Sequence, residues 1–185
     1  MGACGLRQNK AVEITSDESD VVSGDNDENI EDDKSRSQAT FRFTINSFSQ
    51  LRKPILSPPT YVRNLPWRIL AQPKMIRIFP IQCKMSLNYF LQCNGESEST
   101  NWSCYASVDL RILAQKEGYE HLSKPVLHVF NSKTNDYCFH SFDNWEELTD
   151  PAKGYLKDDR LILEATVKAE VPRGVHWDSK KHTGF

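Results

Sequence analysis

Asp136, Tyr137, Cys138, Phe139 and His140 set an acid, two aromatic rings, a thiol and an imidazole in consecutive positions. Two kinds of chemistry are open to such a set. An acid beside rings on an accessible strand can dock an extended peptide: the rings give contact area and the carboxylate accepts hydrogen bonds. A thiol and an imidazole two positions apart lie on one face of a strand and suggest a nucleophile with its base. Side chains at i and i+2 rarely reach the aligned geometry, and no oxyanion hole can be read beside Cys138, so the dyad is the weaker reading. The plainest account is a sandwich strand whose aromatics are core and whose Asp136 belongs to a turn.

A hairpin must hold these residues. A strand from Val126 to Phe130 runs into a polar turn, Ser132 to Asn135, and the aromatic-rich strand follows. Alternation along that strand puts Tyr137 and Phe139 on one face and Asp136 with Cys138 on the other. Upstream, Thr40 to Asn46 alternates strictly, with Phe41, Phe43 and Ile45 on one face. Ser86 to Cys93 reads as a strand, Cys104 to Ile112 as the longest one, and Arg160 to Ala169 as the last. Pro66 and Pro73 lack the donor a central strand needs, which predicts edges or bulges there. From Lys74 to Lys84 no period survives and Pro80 breaks the run, which predicts an irregular strand and loop. Asp143 and Glu146 predict a capping box for one helical turn, with Trp145 and Leu148 packing inward. Seven or eight strands, close-set turn signals and almost no helix describe an all-β antiparallel sandwich.

Composition narrows the function classes. The chain has 185 residues, room for one ordinary domain plus a tail. Residues 13–33 carry ten acids and no base; four bases against ten acids leave residues 1–39 at −6, and the net charge of −2 leaves +4 for the rest. Such a segment buries too little apolar area to offset its ordering entropy, so residues 1–38 are expected to be a disordered acidic tail. The positive charge of the remainder is diffuse, which argues against nucleic acid as a partner. No apolar run approaches the roughly 18 residues that span a membrane, and no secretory signal pattern is present. The five cysteines are irregularly spaced with no C-x-x-C, so neither a metal site, a disulfide framework nor a cofactor is expected. Reduced thiols fit the nucleus and cytoplasm. No phosphate-binding, metalloprotease or nucleophile-elbow motif occurs. Asp158-Asp159 and Glu146-Glu147 diverge in direction and are expected to be solvated. His128 is expected to be a satisfied core or edge residue.

Several runs carry a resemblance: Ala39-Thr-Phe-Arg-Phe-Thr-Ile45, Leu56-Ser-Pro-Pro59, Val62-Arg-Asn-Leu-Pro-Trp67, Phe90-Leu-Gln-Cys-Asn94, Glu96-Ser-x-Ser-Thr-x-Trp-Ser-Cys104 and Trp177-Asp-Ser-Lys-Lys-His-Thr-Gly184. Together they resemble the amino-terminal TRAF-like, or MATH, domain of the herpesvirus-associated family of ubiquitin-specific proteases, ubiquitin-specific protease seven. The resemblance covers residues 39–185. It implies an antiparallel sandwich over 39–170 and a linker over 171–185. It also implies a shallow groove for short P/A/E-x-x-S segments of protein partners, ubiquitin-pathway substrates among them. By the same resemblance Asp136 hydrogen-bonds the peptide, Tyr137 packs on its small residue and Phe139 shapes the pocket floor. Lys74 stands where the family has a peptide-contacting Arg, Phe90 at an aromatic of the neighbouring strand, and Ser141 where the family has Asn.

Departures from the family pattern bear on motif preference. Lys74 keeps the charge of an Arg but loses the planar fork. Tyr137 replaces a Trp and shrinks the apolar platform. Cys138 replaces a Gly and adds a side chain where peptide backbone approaches. The Met75–Lys84 stretch is longer than its family counterpart. The family's catalytic cysteine box, Gly-Leu-x-Asn-x-Gly-Ala-Thr-Cys-Tyr, does not occur in these 185 residues. The polypeptide alone is therefore not expected to cleave ubiquitin. The expectation is a peptide-binding module, the alternatives being the amino-terminal piece of a full protease and a trimeric adaptor. No heptads in residues 1–39 support the adaptor.

Overall fold

The computed structural model describes residues 34–78, 82–139 and 145–175. Nine strands lie among them: β1 (Gln38–Ile45), β2 (Ile55–Leu56), β3 (Thr60–Val62), β4 (Leu65–Ile78), β5 (Gln82–Cys93), β6 (Ser103–Ile112), β7 (Leu122–Asn131), β8 (Asp136–Phe139) and β9 (Leu161–Ala169). A 3-10 turn (Phe48–Gln50) and a five-residue helix, α1 (Trp145–Thr149), complete the set. The strands form two antiparallel sheets, ordered β1-β9-β6-β7 and β2-β4-β5-β8, with β3 also pairing β4. The short β2 and β3, interrupted by Pro58 and Pro59, bring the count above the seven or eight read from the sequence.

The expected alternation is what the sheets use. On β6, Cys104, Ala106, Val108, Leu110 and Ile112 are buried, and on β9 so are Leu161, Leu163, Ala165 and Val167. Opposite them, β4 and β5 contribute Trp67, Ile69, Ala71, Leu87, Tyr89, Leu91 and Cys93, all fully buried. Trp67 meets Phe130 of β7 edge-on at 4.9 Å, and the Tyr89 hydroxyl crosses the core to donate to the Glu164 carbonyl at 2.8 Å. Burial and the charge of Glu164 push the Tyr89 phenol well above its usual range. It stays a neutral donor.

Two expectations are corrected. Lys74–Ile78 and Gln82–Lys84 are regular strand, with β4 and β5 paired continuously from Trp67↔Cys93 to Ile78↔Gln82, while the expected break at Pro80 lies outside the described residues. The distal part of this ribbon shows no period because Met75, Ile76 and Arg77 are all exposed, leaving no core to impose one. The edge expected at Pro73 is present, since β2 reaches only to Ala71 and β4 has a single neighbour there. Asp159 is not merely solvated: it accepts from the Ser49 backbone N–H and hydroxyl at 2.8 Å each, while its carbonyl accepts from Phe48 N–H at 2.9 Å. That anchors the 3-10 turn, whose buried Phe48 stacks on Trp145 of α1 at 4.2 Å. Asp143, the expected cap of α1, lies outside the described residues, whereas Leu148 is buried as expected.

The outer face of the first sheet holds a charged network. Glu164, 3% exposed, accepts from Arg42 at 2.6 Å and from Arg111 at 3.0 Å. Arg111 also donates to Asp109 at 2.7 Å, and Asp109 accepts from Ser123 at 2.6 Å. Past Ala169, Arg173 exchanges backbone hydrogen bonds with Ser103. Gly174 has φ 70°, and a Cβ there would lie 1.7 Å from the Asn101 carbonyl oxygen, so no other residue fits.

Candidate functional site

Each sheet ends in a strand of one hairpin: β7 is last in the first sheet and β8 last in the second. Asn131 closes the turn between them. Its side-chain oxygen accepts from the Lys133 and Thr134 N–H groups at 2.9 and 3.0 Å, and Asn131 and Thr134 exchange backbone bonds at 3.2 Å. This is the local preference of Asn for turns. The turn is tied to the second sheet by Cys93 N–H donating to the Asn135 carbonyl at 2.7 Å.

Among the described residues β8 has one strand neighbour, β5: Asp136 faces Gln92, Tyr137 faces Leu91, Cys138 faces Phe90 and Phe139 faces Tyr89. Residues opposite one another in a ladder share a face. Tyr137 therefore lies on the face of buried Leu91, and Asp136 and Cys138 lie on the outer face with Gln92 and Phe90. The predicted alternation holds. Asp136 is exposed; Tyr137 is half-buried, packed against the core, with its ring 4.9 Å from that of His128 on β7.

Lys74 joins the outer-face group. It pairs with Ser86, two residues along the same face from Asn88 and four from Phe90. Its charge reaches the Cys138 thiol, as does that of Asp136. Burial first, then Asp136, pushes that thiol up to about 11, so Cys138 is not poised as a nucleophile. His140, its suggested partner, and Ser141, a suggested site residue, lie outside the described residues. Asp136, Phe90 and Lys74 are thus gathered around Cys138, with Tyr137 on the other face of the same strand.

His128 carries a role that sequence reasoning missed. Its ring sits between Phe130, edge-on at 4.7 Å, and Tyr137. Its Nε2 is buried without a hydrogen-bond partner, so it is not the satisfied histidine expected. Burial lowers its pKa, against the opposing pull of the Thr134 carbonyl and the Asp136 charge. The signal available was its place between Val126 and Phe130 on the inner face of β7. Among the described residues no group of His, Cys, Asp or Glu is arranged to hold a metal ion, and no helix is long and apolar enough to cross a membrane.

A family model described as "MATH domain" matches residues 40–167. The chain is 42% identical over 160 residues to ubiquitin carboxyl-terminal hydrolase 7 of Drosophila melanogaster, covering 86% of this chain and 13% of that protein. It is 33% identical over 147 residues to ubiquitin C-terminal hydrolase 12 of Arabidopsis thaliana, covering 78% of this chain and 13% of that protein. BTB and MATH domain-containing protein 38 of Caenorhabditis elegans is 30% identical over 141 residues, covering 76% of this chain and 35% of that protein. The chain thus spans a small part of the curated relatives it matches. Family match, sandwich topology and identity agree: the chain belongs to the MATH domain family.

Proposed function

We propose that this chain is a peptide-docking module that holds a short P/A/E-x-x-S segment of a partner protein along β8, bringing ubiquitin-pathway substrates to a deubiquitinase. The observation that carries this reading is the exposed carboxylate of Asp136 at the head of an edge strand, next to half-buried Tyr137. An edge strand accepts an extended segment by backbone pairing, and side chains on alternate faces select the sequence. In this reading Asp136 hydrogen-bonds the peptide, including its Ser. Tyr137 packs on the small residue, Phe139 shapes the pocket floor, Lys74 and Phe90 contact the peptide's flank, and Ser141 is a further peptide-binding residue. The working compartments are the nucleus and cytoplasm.

A fluorescent Ala-x-x-Ser peptide should bind the chain in the micromolar range. Asp136→Ala should weaken binding by about 1–3 kcal/mol with the fold intact by circular dichroism. Equal binding by both proteins refutes the assignment. The chain itself is read as non-catalytic, and a ubiquitin-based active-site probe should leave every cysteine unlabelled. The identity to two ubiquitin hydrolases favours one further reading, that the module works as part of such an enzyme. In that setting, Asp136→Ala in the longer chain should slow turnover of tethered substrates but not of free ubiquitin conjugates.

A further inference from the structure

We propose that the distal arm of the β4–β5 hairpin is an electrostatic surface that reads acidic residues flanking the docked segment, so that the preferred partners are acid-flanked peptides. The inference rests on the docking reading above and names the partner class for that site. From Leu65 to Asn94 the hairpin carries four bases, Arg68, Lys74, Arg77 and Lys84, and no acid. Arg68 is committed to Glu96 at 3.0 Å. Lys84 meets Glu146 at 3.5 Å in a pair whose side chains are 41% and 70% exposed, too solvated to hold the lysine firmly. Among the described residues Lys74 and Arg77 have no carboxylate partner. By the register, Lys74, exposed Ile76 (40%) and Lys84 stand on the Asp136 face of the ribbon and exposed Met75 (64%) and Arg77 on the other, so each face offers a cation and apolar contact to a bound chain.

Position makes this surface part of the same site. β8 runs antiparallel to β5, so that moving from Asp136 to Phe139 moves from Gln92 to Tyr89, toward Ser86 and Lys84. The arm therefore begins beyond the Phe139 end of β8, on the side where Lys74 already acts on Cys138. A segment laid along β8 that continues past Phe139 meets the arm, and acidic residues there find its cations. Acids beyond the Asp136 end meet the Asp136 carboxylate instead, and Arg68, across Gln92 from it, is already held by Glu96.

The test uses the full chain and three fluorescent peptides with one Ala-x-x-Ser core: neutral flanks, three Glu on the amino side, or three Glu on the carboxyl side. One acidic flank should raise affinity about five- to tenfold at low salt, the other should not, and the gain should vanish near 0.5 M salt, where screening is effective at roughly 4–5 Å. Arg77→Gln with Lys84→Gln should remove the gain while leaving the neutral peptide's affinity unchanged. Equal affinities for all three peptides, or a gain that survives the double variant, overturns the proposal. So does a preference that emerges only after the acids of residues 13–33 are changed to amides, which would give the arm to the chain's own acidic stretch. Failure of even the neutral peptide to bind wild type would sink the docking reading itself, a result distinct from these.

Discussion

The ring of Tyr137, on the last strand of one sheet, lies 4.9 Å from the ring of His128, on the last strand of the other. The two layers are therefore joined at this margin by an aromatic contact as well as by the Asn131–Asn135 turn. Any ligand that presses on Tyr137 also loads His128, whose Nε2 has no partner.

That contact makes stability depend on pH. The folded-state pKa of His128 is lowered by burial, so as pH falls the unfolded chain takes up this proton first. Stability from neutral His128 is full above the ordinary histidine range of about 6.5 and drains away as pH drops through it toward the depressed value. Urea unfolding at pH 7.5 and 5.5 should show a larger loss for wild type than for His128→Phe. Parallel losses in the two proteins would contradict the assignment.

Tyr137 is expected to matter twice. Tyr137→Ala should weaken the Ala-x-x-Ser peptide at least about tenfold and lower stability by roughly 1–2 kcal/mol, since a half-buried ring is lost. Tyr137→Trp restores a larger platform and should tighten the peptide. Fluorescence anisotropy with parallel thermal melts separates the two effects.

Thiol reactivity offers a check on the site's electrostatics. With burial and Asp136 holding the Cys138 thiol near 11, and Cys104 at about 11, iodoacetamide at pH 8 should spare both. Exposed Cys83 should react before Cys93, Cys104 and Cys138. Peptide mapping that finds Cys138 modified first would place it in a different environment.

Glu164→Gln should destabilise the sandwich by about 1–3 kcal/mol, because a buried carboxylate loses its charge between two guanidinium groups. The figure sits below that for a closed ion pair because the Arg42 side chain is 66% exposed. Denaturant midpoints at low and high salt measure it, and the difference between the proteins should shrink with salt.

Trp145→Ala should cost about 2 kcal/mol through loss of the stack on Phe48. It should free α1 while leaving both sheets paired. Amide exchange should quicken at Glu146–Thr149 and Phe48–Leu51 and stay slow in β6 and β9.

The strands that were legible from residue order are those with one wet face and one dry face. β1, β6 and β9 alternate because a sheet and solvent flank them, and β8 alternates enough to divide Tyr137 from Asp136 correctly. The distal β4–β5 ribbon was hidden because both its faces are open near Met75 and Ile76. Asp159 was misread for a different reason. Its partner Ser49 is 110 residues away, and no local pattern announces so distant a cap. The orphan nitrogen of His128 was equally invisible, since it depends on which ring of the second sheet arrives beside it.

Pro125 stands within β7, the free margin of the first sheet, and withholds a backbone donor there. β8 contains no proline. The two neighbouring margins are thus unequal templates: one is blunted against self-association despite the exposed Leu127 and Val129 beside it, and the other is left receptive. A single imino acid thereby makes the margin of the first sheet the poorer seed for fibre growth between copies of the chain.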